Sequence, residues 1–414
     1  MTPFEVLATV LSLAAGFAYV NHRWIRLPPA VGLMALALAV ATALVVVDRL
    51  GWWPLRAVAV GVLERVAFGD TLLHGMLGVM LFAGALHVDL NDLREERGAI
   101  GLLAFGSTGL STLVIAGLAW LALDAIGAPL PFAYCLLFGA VVAPTDPIGV
   151  LGVLRQARIP KGLQTQIAGE SLFNDGVGVV LFLAVLGFVT RTDDVGAGRI
   201  ALIFAREVVG GALFGLVAGY AAYRLVKSID HYQTELLITL ALVLGGYALA
   251  ERLRISAPIA AVLSGLLIGN QGRALAMSDV TRDHLDKFWS LIDEVLNAIL
   301  FVLVGFEVIA LSLSWRAAAA GLVTIPVVLV ARLASVTVPV LGLGRWVRFA
   351  RGAIPILTWG GLRGGMSVAL ALSIPDGAER DQIVVMTYFV VVFSTLVQGL
   401  TLRPLARRFA PQTS

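Results

Sequence analysis

The chain of 414 residues has little charge and almost no cysteine: 14% of its residues are Asp, Glu, Lys or Arg, and Cys135 is its only cysteine. A single cysteine excludes a disulfide bond within the chain. No hydrophilic stretch is long enough to form a separate soluble domain, which argues against nucleotide-driven transport. The Lys and Arg residues are spread over many short loops, so the net charge of +3 does not indicate nucleic-acid binding.

Long apolar runs are what the sequence has instead, and 59% of its residues are hydrophobic. A hydrocarbon core about 30 Å thick requires about 20 apolar residues per spanning helix, and stretches of that length recur from Pro3 to Leu405. The first stretch contains Glu5 and no basic residue, which distinguishes it from a signal peptide. The sequence therefore predicts an all-α polytopic membrane protein with a single membrane domain over residues 1–414.

Hydropathy, together with Gly and Pro punctuation, predicts about thirteen transmembrane helices. Their expected ranges are 3–21, 27–47, 70–90, 98–123, 129–153, 165–190, 199–226, 233–250, 256–270, 289–312, 316–343, 352–374 and 381–402. Residues 54–68 are too charged to span and predict an interfacial helix. Eighteen of the thirty Lys and Arg residues fall on one side of this layout and nine on the other. Because cytoplasmic loops carry the basic excess, the C-terminus is expected in the cytoplasm and the N-terminus outside.

Two of the predicted spans contain residues that a straight membrane helix avoids. In the fifth span, Pro144 and Pro147 flank Asp146, and each proline removes a backbone donor. In the twelfth span, four glycines surround Arg363 over residues 360–365. Paired breaks in two six-helix halves with an odd linker span between them are typical of inverted repeats in secondary transporters. We therefore expect the interrupted helices to cross at a binding site; either break alone is equally compatible with a kink that has no function.

The sixth span begins with a group of polar residues on one helical face of roughly 140°: Glu170, Ser171, Asn174 and Asp175. An ionised side chain at the centre of a membrane helix costs about 2.5–3.5 kcal/mol. Five charged residues are expected at this depth, and unless paired or hydrated they would together cost roughly 12–17 kcal/mol: Glu170, Asp175, Asp146, Arg332 and Arg363. A cost of this size indicates that these residues serve a function.

A carboxylate in a partly desolvated cavity can hold either a proton or a cation, and Asp175 is the residue expected to do so. Oxygen ligands for Na⁺ or Li⁺ are expected from Asp175, Asp146, the Ser171 hydroxyl, the Thr145 carbonyl and water. No cluster of His or Cys favours a transition metal, and no cofactor is expected.

The remaining charged residues leave alternatives open. Arg363 is expected either to neutralise the helix ends at the breaks or to serve the fold alone. Glu170 is expected to pair with a buried arginine, with Arg332 as the first choice and Arg363 as the second, and it suits a scaffold role as well as ion binding. An acidic stretch would either draw cations into a funnel or form a solvated face: Asp279, Asp283, Asp286, Asp293 and Glu294.

Six short motifs spread over nearly the whole chain carry a family resemblance. They are Thr145-Asp146-Pro147, Glu170-Ser171-x-x-Asn174-Asp175, Ala331-Arg332, Gly360-Gly361-Leu362-Arg363-Gly364, LHVD at 86–89 and LNAILF at 296–301. With them the chain resembles the monovalent cation:proton antiporter family, in the branch of bacterial and archaeal sodium/proton antiporters and animal sodium/proton exchangers. The resemblance implies thirteen helices and a homodimer. It also implies a core of about 98–190 and 316–405 that moves like an elevator against a dimerisation part of about 3–90 and 199–312.

The same resemblance implies roles for single residues. Asp175 would bind the ion and the proton, with help from Asp146, Ser171 and the Thr145 carbonyl. Glu170 would pair with Arg332.

Asn174 bears on the stoichiometry. In electrogenic members of the family its position holds a second aspartate, so the amide found here predicts electroneutral exchange of one Na⁺ or Li⁺ for one proton, with Asn174 and Glu170 beside the ion. Such an antiporter would lie in the cell inner membrane and serve pH homeostasis. Potassium/proton exchange stays open because the same oxygen ligands accept K⁺, and a cation channel is a weaker alternative. An enzyme is not expected, since Ser171 has no buried His or Lys to activate it.

Overall fold

The computed structural model describes residues 2–50, 61, 76–146, 150, 159–190, 197–311, 314–343, 349 and 352–409. Within these ranges the chain is helical and contains no strand. In chain order the α-helices are α1 (Pro3–Val20), α2 (Pro29–Arg49), α3 (Leu77–Leu86), α4 (Leu90–Glu95), α5 (Arg97–Gly101), α6 (Thr108–Ala125), α7 (Phe132–Val142), α8 (Lys161–Thr190), α9 (Ala197–Lys227), α10 (Tyr232–Arg252), α11 (Ala257–Leu267), α12 (Arg273–Leu275), α13 (Asp279–Phe306), α14 (Trp315–Leu343), α15 (Ala353–Trp359), α16 (Gly365–Leu372), α17 (Ala378–Phe393) and α18 (Gly399–Phe409). Four π-helical turns that lie wholly within the described residues continue these helices, at Asn21–Ile25, Leu102–Ser107, Ile268–Gly272 and Ser394–Gln398.

Eight helical segments in the described part of the chain are long and apolar enough to cross a membrane. They are Phe4–Ile25, Pro29–Asp48, Arg97–Ala125, Lys161–Thr190, Ala205–Lys227, Tyr232–Arg252, Trp315–Gly342 and Ala378–Phe409. Three shorter apolar helices, Leu77–Leu86, Phe132–Val142 and Ala257–Gly272, lie in three further predicted spans, and the last of them ends two residues beyond its span. The all-helical membrane architecture is thus as predicted, whereas the count of thirteen crossings stays a prediction. The expected interfacial helix over 54–68 lies outside the described residues except for Gly61, and so does Pro147.

Both predicted interruptions are present, and local chemistry explains them. α7 ends at Val142, two residues before Pro144, whose ring nitrogen cannot donate a helical hydrogen bond. α15 ends at Trp359, and α16 begins only at Gly365. The segment between them is rich in glycine, the ordinary residue that most weakens a helix after proline. The predicted spans 129–153 and 352–374 are therefore broken rather than continuous.

Close helix packing places α7 against α8, and the second broken helix against α7 and α14. α3 packs on α11, α11 on α9, and α13 on α2, while α6 packs on α7 and α14 on α17. Glycines allow the closest approaches: a side chain at Gly265 of α11 would lie 2.8 Å from the Phe82 carbonyl oxygen of α3. α8 contacts both α7 and α11, so it lies between these two helices.

Candidate functional site

The unwound chain after α7 is held by one amide side chain on α8. Asn174 accepts a hydrogen bond from the backbone nitrogen of Thr145 through Oδ1 (3.2 Å) and donates from Nδ2 to Oγ1 of Thr145 (2.8 Å). Both residues are buried. A broken helix frees backbone groups that lipid cannot satisfy, and here the Asn174 amide satisfies one of them. Pro144 lies directly against Gly178, where any side chain would overlap its ring.

Ser171 joins the same cluster one turn earlier on α8. Its hydroxyl oxygen lies 3.1 Å from Oγ1 of Thr145, and it is also buried. Thr145 therefore contacts two other predicted site residues, Ser171 and Asn174. Their oxygens are the kind of ligand that hard monovalent cations prefer.

The second interrupted helix meets the first at Asp146. The backbone nitrogen of Asp146 donates to the carbonyl oxygen of Leu362, at 2.8 Å. Gly364 lies so close that a side chain there would contact the Asp146 carboxylate. The two breaks thus cross, as the sequence predicts, and each satisfies part of the other's free backbone.

Arg363 lies at the C-terminal end of α7. Its Nη1 donates to the carbonyl oxygen of Pro144 (3.2 Å), and its backbone nitrogen donates to the Ser394 hydroxyl (2.8 Å). A guanidinium at this position partly neutralises the partial negative charge of a helix C-terminus. This is the geometry that charge compensation at the helix breaks requires, and that role of Arg363 stays a prediction.

Glu170 forms a buried ion pair with Arg332 of α14. Nη1 of Arg332 lies 2.6 Å from Oε1 of Glu170, and their side chains are only 4% and 1% exposed. Nε of Arg332 also donates to the carbonyl oxygen of Leu357 in α15, at 3.2 Å. Of the two partners considered from the sequence, Glu170 therefore contacts Arg332, and Arg363 contacts the end of α7 instead.

Asp175 and Asp146 are the two half-buried carboxylates of the site. Asp175 follows Asn174 on α8, and the charge of Asp146 acts on it directly. Gly176, the next residue, faces Ile259 of α11, so this part of α8 packs against α11. Two carboxylates that act on each other in this way repel when both are ionised, which favours the uptake of a proton or a cation.

The described residues contain no group of three or more His, Cys, Asp or Glu side chains able to hold a metal ion together. The expected oxygen set at the breaks has two carboxylates, Asp146 and Asp175, and otherwise neutral groups. Such a set suits a weakly held monovalent ion that is carried and released.

Two polar residues of the site were not singled out from the sequence. Ser394 holds the backbone of Arg363, and Gln398, one turn later, donates from Nε2 to the carbonyl oxygen of Trp359 at 3.1 Å. Both are buried in a span that is mostly apolar. Their four-residue spacing in an apolar background was the available signal, since buried polar groups in a membrane helix require partners.

The chain matches a described protein family over almost its whole length. The profile of the family described as "Sodium/hydrogen exchanger, transmembrane" matches residues 9–408. The chain is 48% identical over 408 residues to the Na(+)/H(+) antiporter NhaP of Pseudomonas aeruginosa, which covers 98% of this chain and 96% of the relative. It is 36% identical over 352 residues to the Na(+)/H(+) antiporter NhaH of Halobacillus dabanensis, over 83% of this chain and 84% of the relative.

A solved structure has a similar fold. The sodium proton antiporter MjNhaP1 from Methanocaldococcus jannaschii, determined at pH 8, superposes with a TM-score of 0.77 over 99% of both chains. Its sequence is 19% identical, so this likeness concerns the fold alone.

Proposed function

Because this chain belongs to the sodium/hydrogen exchanger family, we propose that it is a secondary active antiporter that exchanges Na⁺ or Li⁺ for protons across the membrane. The observation that carries the proposal is the crossing of two interrupted helices at Asp146, next to Asp175 on α8. Their carboxylates provide a site that binds a proton or a cation.

Coupling follows from competition at one carboxylate. A cation needs Asp175 ionised, whereas a proton neutralises it, so the two substrates exclude each other. Ser171 and Thr145 supply neutral oxygens that lie together in the structure, and Asp146 adds the second carboxylate. If only a loaded site crosses, each cation that moves one way requires a proton to move the other way.

We further propose that the exchange is electroneutral, one cation for one proton. Both ends of the Asn174 amide bond to Thr145, and an amide carries no exchangeable charge. The charge of Glu170 is balanced by Arg332, which supports a scaffold role for that pair. Asp175 is then the group that alternates between its protonated and cation-bound forms.

The movement, assembly and location of the protein belong to the same proposal. The parts of about 98–190 and 316–405 would move like an elevator against the parts of about 3–90 and 199–312, in a homodimer. The protein would lie in the inner membrane with a cytoplasmic C-terminus and an external N-terminus, which the eighteen-to-nine distribution of basic residues supports.

The test is proton flux in proteoliposomes that carry a pH-sensitive dye and receive Na⁺, Li⁺ and K⁺ in turn. We expect Na⁺ and Li⁺ to drive flux in the wild type and Asp175→Asn to abolish it. Asp124→Asn, an exposed aspartate at the end of α6, is the matched control and should transport normally. Flux driven by K⁺ alone would replace the sodium assignment with potassium/proton exchange. Exchange that persists in Asp175→Asn would remove Asp175 from the mechanism.

Electroneutrality has its own measurement on the same vesicles. A membrane potential imposed with valinomycin and a K⁺ gradient should leave the Na⁺-driven rate unchanged. A rate that follows the potential would contradict one-for-one exchange.

A further inference from the structure

The five acidic residues between positions 279 and 294 of α13 fall into two groups, three that form salt bridges and two that do not among the described residues. Asp279 pairs with Arg282 at 3.1 Å, Asp283 with Lys287 at 2.6 Å, and Asp286 with Arg273. These pairs lie in the first part of the helix and give it a solvated face. Asp293 and Glu294 follow without a salt bridge among the described residues. Glu294 is exposed, whereas Asp293 is half-buried.

Asp293 lies on the helical face that packs against the second break. Leu300 of this face occupies the space where a side chain of Gly365 would be, and the preceding Gly364 abuts the Asp146 carboxylate. At about 100° per residue, Asp293 and Asn297 lie within roughly 60° of the same face, two turns and one turn before Leu300. Asp293 is near enough to the first break for its charge to interact with that of Asp146.

Asn297 adds an unused oxygen beside this carboxylate. The residue is only 6% exposed, and its Nδ2 donates to the carbonyl oxygen of Asp293 at 2.8 Å. Its Oδ1 is buried and has no hydrogen-bond partner in the described part of the chain. A buried acceptor usually has a partner, and beside a carboxylate the partner that suits it is a cation or the water that a cation carries.

We propose that Asp293 and Asn297 form a second site for the transported monovalent cation, which the ion occupies before it reaches Asp146 and Asp175. The inference rests on the proposed antiport function. The site offers one carboxylate and one amide oxygen, so the cation there keeps most of its water. It raises the local cation concentration at the approach to the breaks, as an acidic cleft does for any charged substrate.

The structure provides a matched pair of variants for the test. Asp293→Asn removes a charge from the face that meets the break, whereas Glu294→Gln removes the neighbouring charge from the exposed face. The rate of Na⁺-driven proton flux is measured against Na⁺ concentration in everted membrane vesicles. These vesicles present to the added Na⁺ the side at which α13 begins in the proposed topology. Choline chloride keeps the ionic strength constant, because salt screens such charges.

We expect Asp293→Asn to raise the half-saturating Na⁺ concentration by about 3- to 10-fold, with a maximal rate within about twofold of the wild type. Asn297→Ala should also raise the half-saturating Na⁺ concentration. Asp293→Glu, which keeps the negative charge, should have the wild-type value, and so should Glu294→Gln. If Asp293→Asn is not recovered as folded protein, Asn297→Ala carries the test, and a half-saturating concentration equal to that of Glu294→Gln would overturn the proposal.

Two outcomes overturn the second site. One is a half-saturating concentration in Asp293→Asn equal to that in Glu294→Gln, and the other is a fall in maximal rate alone, which marks a structural residue. Wild-type protein that exchanges neither Na⁺ nor Li⁺ for protons would instead overturn the proposed function. The two failures are therefore distinguished by the wild-type measurement.

Discussion

Glu170 of α8 and Arg332 of α14 form a buried ion pair at 2.6 Å, and the same arginine donates to the carbonyl oxygen of Leu357 at the broken twelfth span. Gly361 makes room for it, since a side chain there would lie 2.6 Å from Nε of Arg332. One guanidinium thereby connects the helix of the candidate ion site, a long neighbouring helix and the second break. The pair supports the geometry of the site rather than providing a free carboxylate.

Removal of one partner of this pair should destabilise the protein strongly. Glu170→Gln or Arg332→Gln leaves the other charge buried and unpaired, which typically costs about 3–5 kcal/mol. We expect a clear fall in the thermal unfolding temperature of the detergent-purified protein, and a smaller fall in the double variant. Arg316→Gln, an exposed arginine on the same helix, is the control. Single variants as stable as this control would show that the pair contributes nothing to stability.

Asn174 should be required for the shape of the first break. Asn174→Ala removes both hydrogen bonds to Thr145. The buried backbone nitrogen of Thr145 then has no acceptor, which typically lowers the free energy of unfolding by about 1–3 kcal/mol. We expect a lower unfolding temperature and a slower Na⁺-driven proton flux. Asn174→Asp keeps an acceptor oxygen for Thr145 and should lose less stability. Equal losses in the two variants would argue against the hydrogen bond to the backbone as the cause.

Gly364 should tolerate no side chain. Its φ of −110° is available to any residue, so the effect of Gly364→Ala is steric: the new methyl group meets the Asp146 carboxylate. We expect at least about a tenfold loss of exchange, since a displacement of about 1 Å at a functional site can cost a hundredfold. Gly109→Ala, on α6 with nothing within 4 Å of the added methyl group, should transport normally and gain slightly in stability. Normal exchange by Gly364→Ala would place Asp146 outside the ion path.

Protons and Na⁺ should compete at the site. Because the cation binds only the ionised carboxylate, lowering the pH in the range where the site is mostly protonated should raise the half-saturating Na⁺ concentration. The rise should approach about tenfold per pH unit, with the maximal rate unchanged at saturating Na⁺. Initial rates at several pH values and Na⁺ concentrations measure this directly. A constant half-saturating concentration, with only the maximal rate depending on pH, would contradict a shared site.

Much of the architecture was decided by the sequence alone. Apolar runs of about 20 residues must span lipid as helices, because no other open structure satisfies the backbone there. Pro144 and the glycines at 360–365 mark the two breaks, since proline lacks a donor and glycine weakens helices. The polar face of Glu170, Ser171, Asn174 and Asp175 follows from helical periodicity.

Only the tertiary structure decided which of these residues meet. Spacing along one helix does not show that Arg332 rather than Arg363 reaches Glu170, because α14 and the second break are distant from α8 in sequence and both carry a buried arginine. In the same way, the sequence left Asp293 among five equivalent acidic residues, and the packing of Leu300 on Gly365 distinguished it. Local patterns determine helices and their interruptions, whereas partners across 160 or more residues depend on how the helices pack.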